Sequence, residues 1–99
     1  MLNSDLNFLI ELESIILKRM QAGSDDSYTF RLASSGDKRM AQKVGEEAVE
    51  LALAATSGDR DEQLDEAADL IYHLLVLLSS KEISIAEVTA TLKERHINA

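Results

Sequence analysis

Four carboxylates carry the chemical interest of this chain: Glu47-x-x-Glu50 and, after fifteen intervening residues, Glu66-x-x-Asp69. Both pairs lie inside apolar runs, Ala48-Val49-Glu50-Leu51-Ala52 and Ala67-Ala68-Asp69-Leu70-Ile71. Carboxylates are mostly exposed, and burying one unpaired costs several kcal/mol. Two such pairs on neighbouring helices would repel each other, and a divalent cation removes the repulsion. Magnesium takes oxygen ligands, keeps several waters, and is typically shared between a few carboxylates and the phosphates of a substrate. It would neutralise charge on a phosphoanhydride and position or activate a water. Hydrolysis needs little covalent help from the protein beyond that.

At about 100° per residue, Lys43, Glu46, Glu47 and Glu50 fall on one helix face, and Glu62, Glu66, Asp69 and His73 on another. Antiparallel packing across a short connection lets the two faces meet. The competing reading is a solvated acidic face. Two residues argue against it. Asp69 is a poor helix former in mid-helix among apolar neighbours. Gly45 costs about 1 kcal/mol against alanine in a helix interior, which signals close approach of backbone or ligand. Lys38, Arg39 and Lys43 are placed either to contact phosphates or, for Lys43, to pair with Glu47 four residues on. His73 reads as a ligand or acid, or as a helix-packing histidine. Ser27, Tyr28 and Thr29 either line a pocket or anchor a loop.

The elements that must position these groups are all helical. A first helix runs to about residue 22 from a cap at Asn3 or Ser4, with Leu6, Leu9, Ile10, Ile16, Leu17 and Met20 in helical period and Gly23 closing it. A loop at residues 23–27 and a short helical turn at 28–33 follow. The third element spans residues 37–57, with Val44, Ala48, Leu51 and Ala55 as its apolar stripe and Gly58 ending it. Asp59 or Asp61 caps the fourth, which extends to about residue 80 and is apolar on nearly every face over 67–78. A capping box, Ser84-x-x-Glu87, opens the last, with Ile83 and Val88 suited to a hydrophobic staple. The expectation is an all-α chain of four main helices forming an antiparallel bundle. Its over-apolar fourth helix is expected to be covered by dimerisation.

Composition narrows the function. Ninety-nine residues make a single domain over 1–99 that buries only about two-thirds of its unfolded surface, and such small helical chains often complete their cores by oligomerising. A net charge of −8, from 18 acidic and 10 basic residues with no basic block, disfavours nucleic acid and anionic lipid as partners. The absence of cysteine excludes disulfides, thiolate zinc sites and cysteine nucleophiles. The start Met1-Leu2-Asn3-Ser4-Asp5 lacks the basic residues of a signal peptide. The longest apolar stretch, residues 74–78, is too short to span a bilayer. A cytoplasmic location is the expectation.

The run Lys43-Val44-Gly45-Glu46-Glu47-Ala48-Val49-Glu50, with Glu66-Ala67-Ala68-Asp69-Leu70-Ile71-Tyr72-His73-Leu74-Leu75-Val76-Leu77-Leu78, resembles the phosphoribosyl-ATP pyrophosphohydrolase family. The likeness continues upstream through Ser27-Tyr28-Thr29, Leu32, Gly36 and Asp37-Lys38, and downstream through Leu92-Lys93-Glu94-Arg95-His96. ExxE…ExxD alone is common to many all-α nucleotide pyrophosphohydrolases, whereas the longer runs are narrower. Ser34-Ser35 before Gly36 departs from the more apolar residue expected there, and the first helix is not distinctive.

The resemblance implies hydrolysis of phosphoribosyl-ATP to phosphoribosyl-AMP and pyrophosphate, the second step of histidine biosynthesis, with Mg2+ as cofactor. It makes Glu47, Glu50, Glu66 and Asp69 the catalytic metal ligands and Glu46 a neighbour that holds a water or second ion. Lys38 and Lys43 become phosphate contacts. It also implies a homodimer or higher oligomer, and the stand-alone form of an enzyme that some organisms fuse to the cyclohydrolase acting next. The rivals are a general nucleoside triphosphate pyrophosphohydrolase, which shares the metal site, and a non-catalytic helical dimerisation module.

Overall fold

The computed structural model describes residues 5–97. The described residues contain helices α1 (Phe8–Ala22), α2 (Tyr28–Ser34), α3 (Asp37–Ser57), α4 (Arg60–Ser80) and α5 (Ile85–Ile97), and no strand. The expected caps Asn3 and Ser4 lie outside the described residues. Punctuation follows local chemistry. Gly23 ends α1 in a left-handed conformation, φ 69°, that costs glycine nothing. The Ser27 side chain accepts the Phe30 N–H at 3.2 Å, and the Asp59 side chain accepts the Glu62 N–H at 2.9 Å. Ser84 Oγ likewise accepts the Glu87 N–H at 3.1 Å. Glu13 Oε2 reaches from α1 to take the Ile85 N–H at 2.6 Å, tying down the start of α5.

Only Gly58 and Asp59 separate α3 from α4, and the two helices form a tightly packed hairpin. Met40 packs with Leu75 and Val76, Glu47 approaches Glu66 and Asp69, and Ala54 and Ser57 share a cavity with Glu62. The helices therefore run antiparallel. The core sits at the open end of this hairpin, where Ile16, Leu32, Met40, Leu75 and Val76 are brought together from α1, α2, α3 and α4. An ion pair between Lys81 and Asp37 closes that end.

Two expectations are corrected. The buried seam of α3 is Met40, Glu47 and Ala54, spaced by seven, whereas Ala48 and Ala55 of the expected stripe are exposed and Val44 and Leu51 half-buried. The helix turns a carboxylate, not the alanines, toward α4. Gly45 does not mark close backbone approach within the chain, because a Cβ built there meets nothing within 4 Å. The half of the hairpin beyond the carboxylates is nearly bare, with Val49 59%, Leu53 60% and Leu64 55% exposed. Full burial of such side chains is worth about 1.5–3 kcal/mol each, so this surface forfeits much of its stabilisation in an isolated chain.

The open space at Gly45 leads to an expected outcome. Gly45→Ala raises stability by up to about 1 kcal/mol through helix propensity alone, measured by thermal or urea denaturation. A loss of stability would mean that something outside this chain occupies the space.

Candidate functional site

The hairpin brings the acidic faces together. Glu47, Glu66 and Asp69 each present one carboxylate oxygen within 4.8 Å of the others. Glu50, one turn beyond Glu47, lies beside Glu66, and both line a cavity of about 240 Å3 with Leu53, Ala54, Ser57 and Glu62. The four residues singled out by spacing therefore share one cleft between α3 and α4.

Their environments differ. Glu47 is buried, 6% exposed, Glu66 is half-buried, and Glu50 and Asp69 face solvent. Lys43 Nζ stands 3.3 Å from Glu47 Oε1 and 3.7 Å from Glu46 Oε1. The hydrogen bond to Glu47 is the main reason the Lys43 pKa is raised, against partial desolvation. The other oxygen of Glu47 and Oε2 of Glu66 are buried without any hydrogen-bond partner. A buried acceptor left unsatisfied is costly, the more so when charged. Glu66 is pushed up to about 7, first by a hydrogen bond to Glu50 that only a protonated carboxyl can make. Desolvation and then the charges of Glu50, Asp69 and Glu47 add to the rise.

These groups suit a hard divalent cation: convergent carboxylates and two buried oxygens without partners. The remaining sequence candidates fall nearby but not in the cleft. Glu46 is exposed and accepts from Gln42 Nε2 at 3.0 Å. Lys38 is exposed and makes no ion pair among the described residues. Lys43 adopts the pairing with Glu47 that its spacing allowed.

His73 is a bridge between elements. Its Nδ1–H donates to the Asp69 backbone carbonyl at 2.7 Å, and its Nε2 is hydrogen-bonded to the Tyr28 hydroxyl at 2.9 Å. Tyr28 also stacks on Tyr72 with ring centroids 6.3 Å apart, and Tyr72 hydrogen-bonds to the buried Thr29. The first turn of α2 is thus tied to the acidic stretch of α4. Sequence reasoning passed over Tyr72 and Arg31. Arg31 lies three residues after Tyr28 on the same helix, a spacing that places the pair side by side, and its guanidinium is 6.0 Å from the Tyr28 ring centroid. Tyr72 meets Thr29 across 43 residues of sequence, which no local pattern announces.

Comparison with known proteins gives a consistent result. The family model described as phosphoribosyl-ATP pyrophosphohydrolase matches residues 9–96. The chain is similar to proteins named histidine biosynthesis bifunctional protein HisIE. It is 53% identical to that of Yersinia pestis over 94% of this chain and 46% of the relative. It is 55% identical to that of Vibrio vulnificus strain CMCP6 over 94% of this chain and 44% of the relative. For Campylobacter jejuni the identity is 54%, over 95% of this chain and 45% of the relative. The chain spans a little under half the length of these curated relatives.

The raised Glu66 pKa has a measurable consequence without metal. The folded chain holds this proton up to about 7, whereas the unfolded chain releases it near 4.5. The stabilisation is therefore fully present below about 4.5 and is lost as pH rises through about 7. Melting temperatures of chelator-treated protein should fall between about pH 5 and about pH 8, and saturating Mg2+ should cancel the fall. Glu66→Gln should flatten the metal-free profile, and an unchanged profile in that variant would defeat the assignment.

Proposed function

The chain belongs to the phosphoribosyl-ATP pyrophosphohydrolase family, and from that premise we propose that it hydrolyses phosphoribosyl-ATP to phosphoribosyl-AMP and pyrophosphate. In this reading it serves histidine biosynthesis, the pathway for which its relatives are named. The observation that carries the proposal is the convergence of Glu47, Glu66 and Asp69 around two buried oxygens that lack partners.

Glu47, Glu50, Glu66 and Asp69 would hold Mg2+. When bound, Mg2+ supplies charge neutralisation for the phosphoanhydride and a water more acidic than bulk. The protein's own groups do the rest. Glu47, buried in the helix seam, keeps its orientation while the exposed Asp69 and Glu50 adjust to the incoming phosphates. Lys43, beside Glu47, offers positive charge at the edge of the cleft to the triphosphate, with Lys38 nearer the start of α3. Glu50 and Glu66, side by side in the cleft, are the carboxylates placed to accept the proton of the attacking water. Water adds across the α–β phosphoanhydride: its oxygen ends on one phosphorus, the bridging oxygen leaves with the other, and a proton passes to a carboxylate.

The bare half of the hairpin supports a homodimer, in which a second copy completes an antiparallel bundle of the four longer helices. Val49, Leu53 and Leu64 would enter that interface. No helix among the described residues is long and apolar enough to cross a membrane, and a cytoplasmic single domain fits this reading.

The deciding assay is pyrophosphate release from phosphoribosyl-ATP with Mg2+, run beside a panel of common and modified nucleoside triphosphates. Selective turnover of phosphoribosyl-ATP is expected. Equal use of the whole panel would favour a general pyrophosphohydrolase. Glu50→Gln and Asp69→Asn should keep their circular dichroism and lose activity by roughly 10^2–10^3-fold or more. Full activity in either would remove that residue from the site. Leu53→Arg should shift the particle from two chains to one in sedimentation. An unchanged dimer would place the interface elsewhere.

A further inference from the structure

Tyr28 separates two cavities that differ in charge. On one side, about 380 Å3 is lined in part by Arg19, Asp26, Ser27, Thr29 and Tyr72, one guanidinium balanced by one carboxylate. On the other, about 200 Å3 is lined by Tyr28, Arg31, Leu32, Ser35 and Arg39. The second holds two guanidiniums and no carboxylate, in a chain whose net charge is −8. Arg31 is held in place, with Nη1 donating to the Asp25 carbonyl at 2.7 Å and the guanidinium 6.0 Å from the Tyr28 ring centroid. Arg39 makes no ion pair among the described residues. Its helical neighbour four residues on is Lys43, which is engaged with Glu47. Two arginines facing one cavity repel each other until an anion enters, and the planar guanidinium fork matches phosphate oxygens.

We propose that this cavity binds the phosphomonoester of the substrate's second ribose. The inference rests on the reading above, in which the substrate is ATP carrying an added phosphorylated ribose and so has two anionic ends. The ends have different needs. The triphosphate can approach the acidic cleft only with its charge neutralised by metal, whereas an isolated phosphomonoester is repelled there and attracted to Arg31 and Arg39. The two places are linked by a chain of hydrogen bonds, because the Tyr28 hydroxyl bonds to His73 and His73 bonds to the Asp69 backbone carbonyl. Along α3, eight residues separate Arg39 from Glu47, about 12 Å of helix rise. A plain nucleoside triphosphate satisfies the acidic cleft alone. Only a substrate with a second phosphate occupies both, so the arginine cavity selects it.

The test uses Arg39→Gln, Arg31→Gln and the double variant. Arg39 is exposed and without an ion pair, so its replacement leaves the fold intact. KM for phosphoribosyl-ATP should rise about 10- to 100-fold with kcat within about twofold. Ribose 5-phosphate should inhibit the unaltered enzyme competitively, ribose should not, and the double variant should escape inhibition. An unchanged KM, a fall in kcat alone, or equal inhibition of unaltered and double-variant enzyme would overturn the proposal. Should the unaltered protein release no pyrophosphate from phosphoribosyl-ATP, the functional reading fails. Calorimetry of ribose 5-phosphate with the unaltered and double-variant proteins then decides the cavity separately: binding lost in the variant supports it, and no binding or equal binding overturns it.

Discussion

The molecule turns on a carboxylate held inside a helix seam. Glu47 occupies the position between Met40 and Ala54 that an ordinary hairpin would give to an apolar side chain. A buried charge that loses water must find compensation in the protein, shed its charge, or recruit a counter-ion. Lys43 compensates one oxygen and leaves the other bare. Across the seam Glu66 retains its proton to about 7, first through a hydrogen bond to Glu50, then through desolvation and the charges of the other carboxylates. The two-residue link prevents the helices from separating to relieve the repulsion. A cation held by these oxygens would be coupled to hairpin stability.

The rest of the fold can be understood as holding that strained pair of helices at one end and leaving it accessible at the other. The apolar core gathers where α3 begins and α4 ends, and the ion pair between Lys81 and Asp37 seals it. The helix α2 adds a polar brace, since Tyr28 and Thr29 grip His73 and Tyr72 on consecutive positions of α4. Beyond the carboxylates the hairpin has no cover from α1 or α2, and its aliphatic side chains stand in solvent. The same bareness leaves the acidic cleft open and aliphatic side chains exposed on neighbouring stretches of the same two helices.

Much of this was legible because it is local. The ends of α3 follow from Gly36 and Gly58, the start of α4 from Asp59, and the opening of α5 from Ser84, since caps act over three or four residues. The two acidic faces were legible because helical period fixes which side chains project together, and a short link fixes which faces meet. Reading failed where the deciding neighbour is distant. Gly45 suggested close approach of backbone or ligand, and no atom of this chain comes within 4 Å of a Cβ built there. The Val44, Ala48, Leu51 and Ala55 stripe was favoured by hydropathy, yet α3 presents Glu47 to its partner helix. His73, ambiguous by type, has both ring nitrogens engaged by groups that sequence proximity identifies only in part.

Residue types and spacing alone determined an all-helical chain, the limits of α3 and α4 and the grouping of Glu47, Glu50, Glu66 and Asp69, because hydrogen bonding and helical period act within a turn or two. Tertiary packing alone decided which carboxylate is buried, which oxygens lack partners and which acid keeps its proton, because desolvation and Coulomb repulsion depend on distances between helices. It likewise decided that Tyr28 stands between an arginine-lined cavity and the acidic helix, a juxtaposition made across 45 residues of chain.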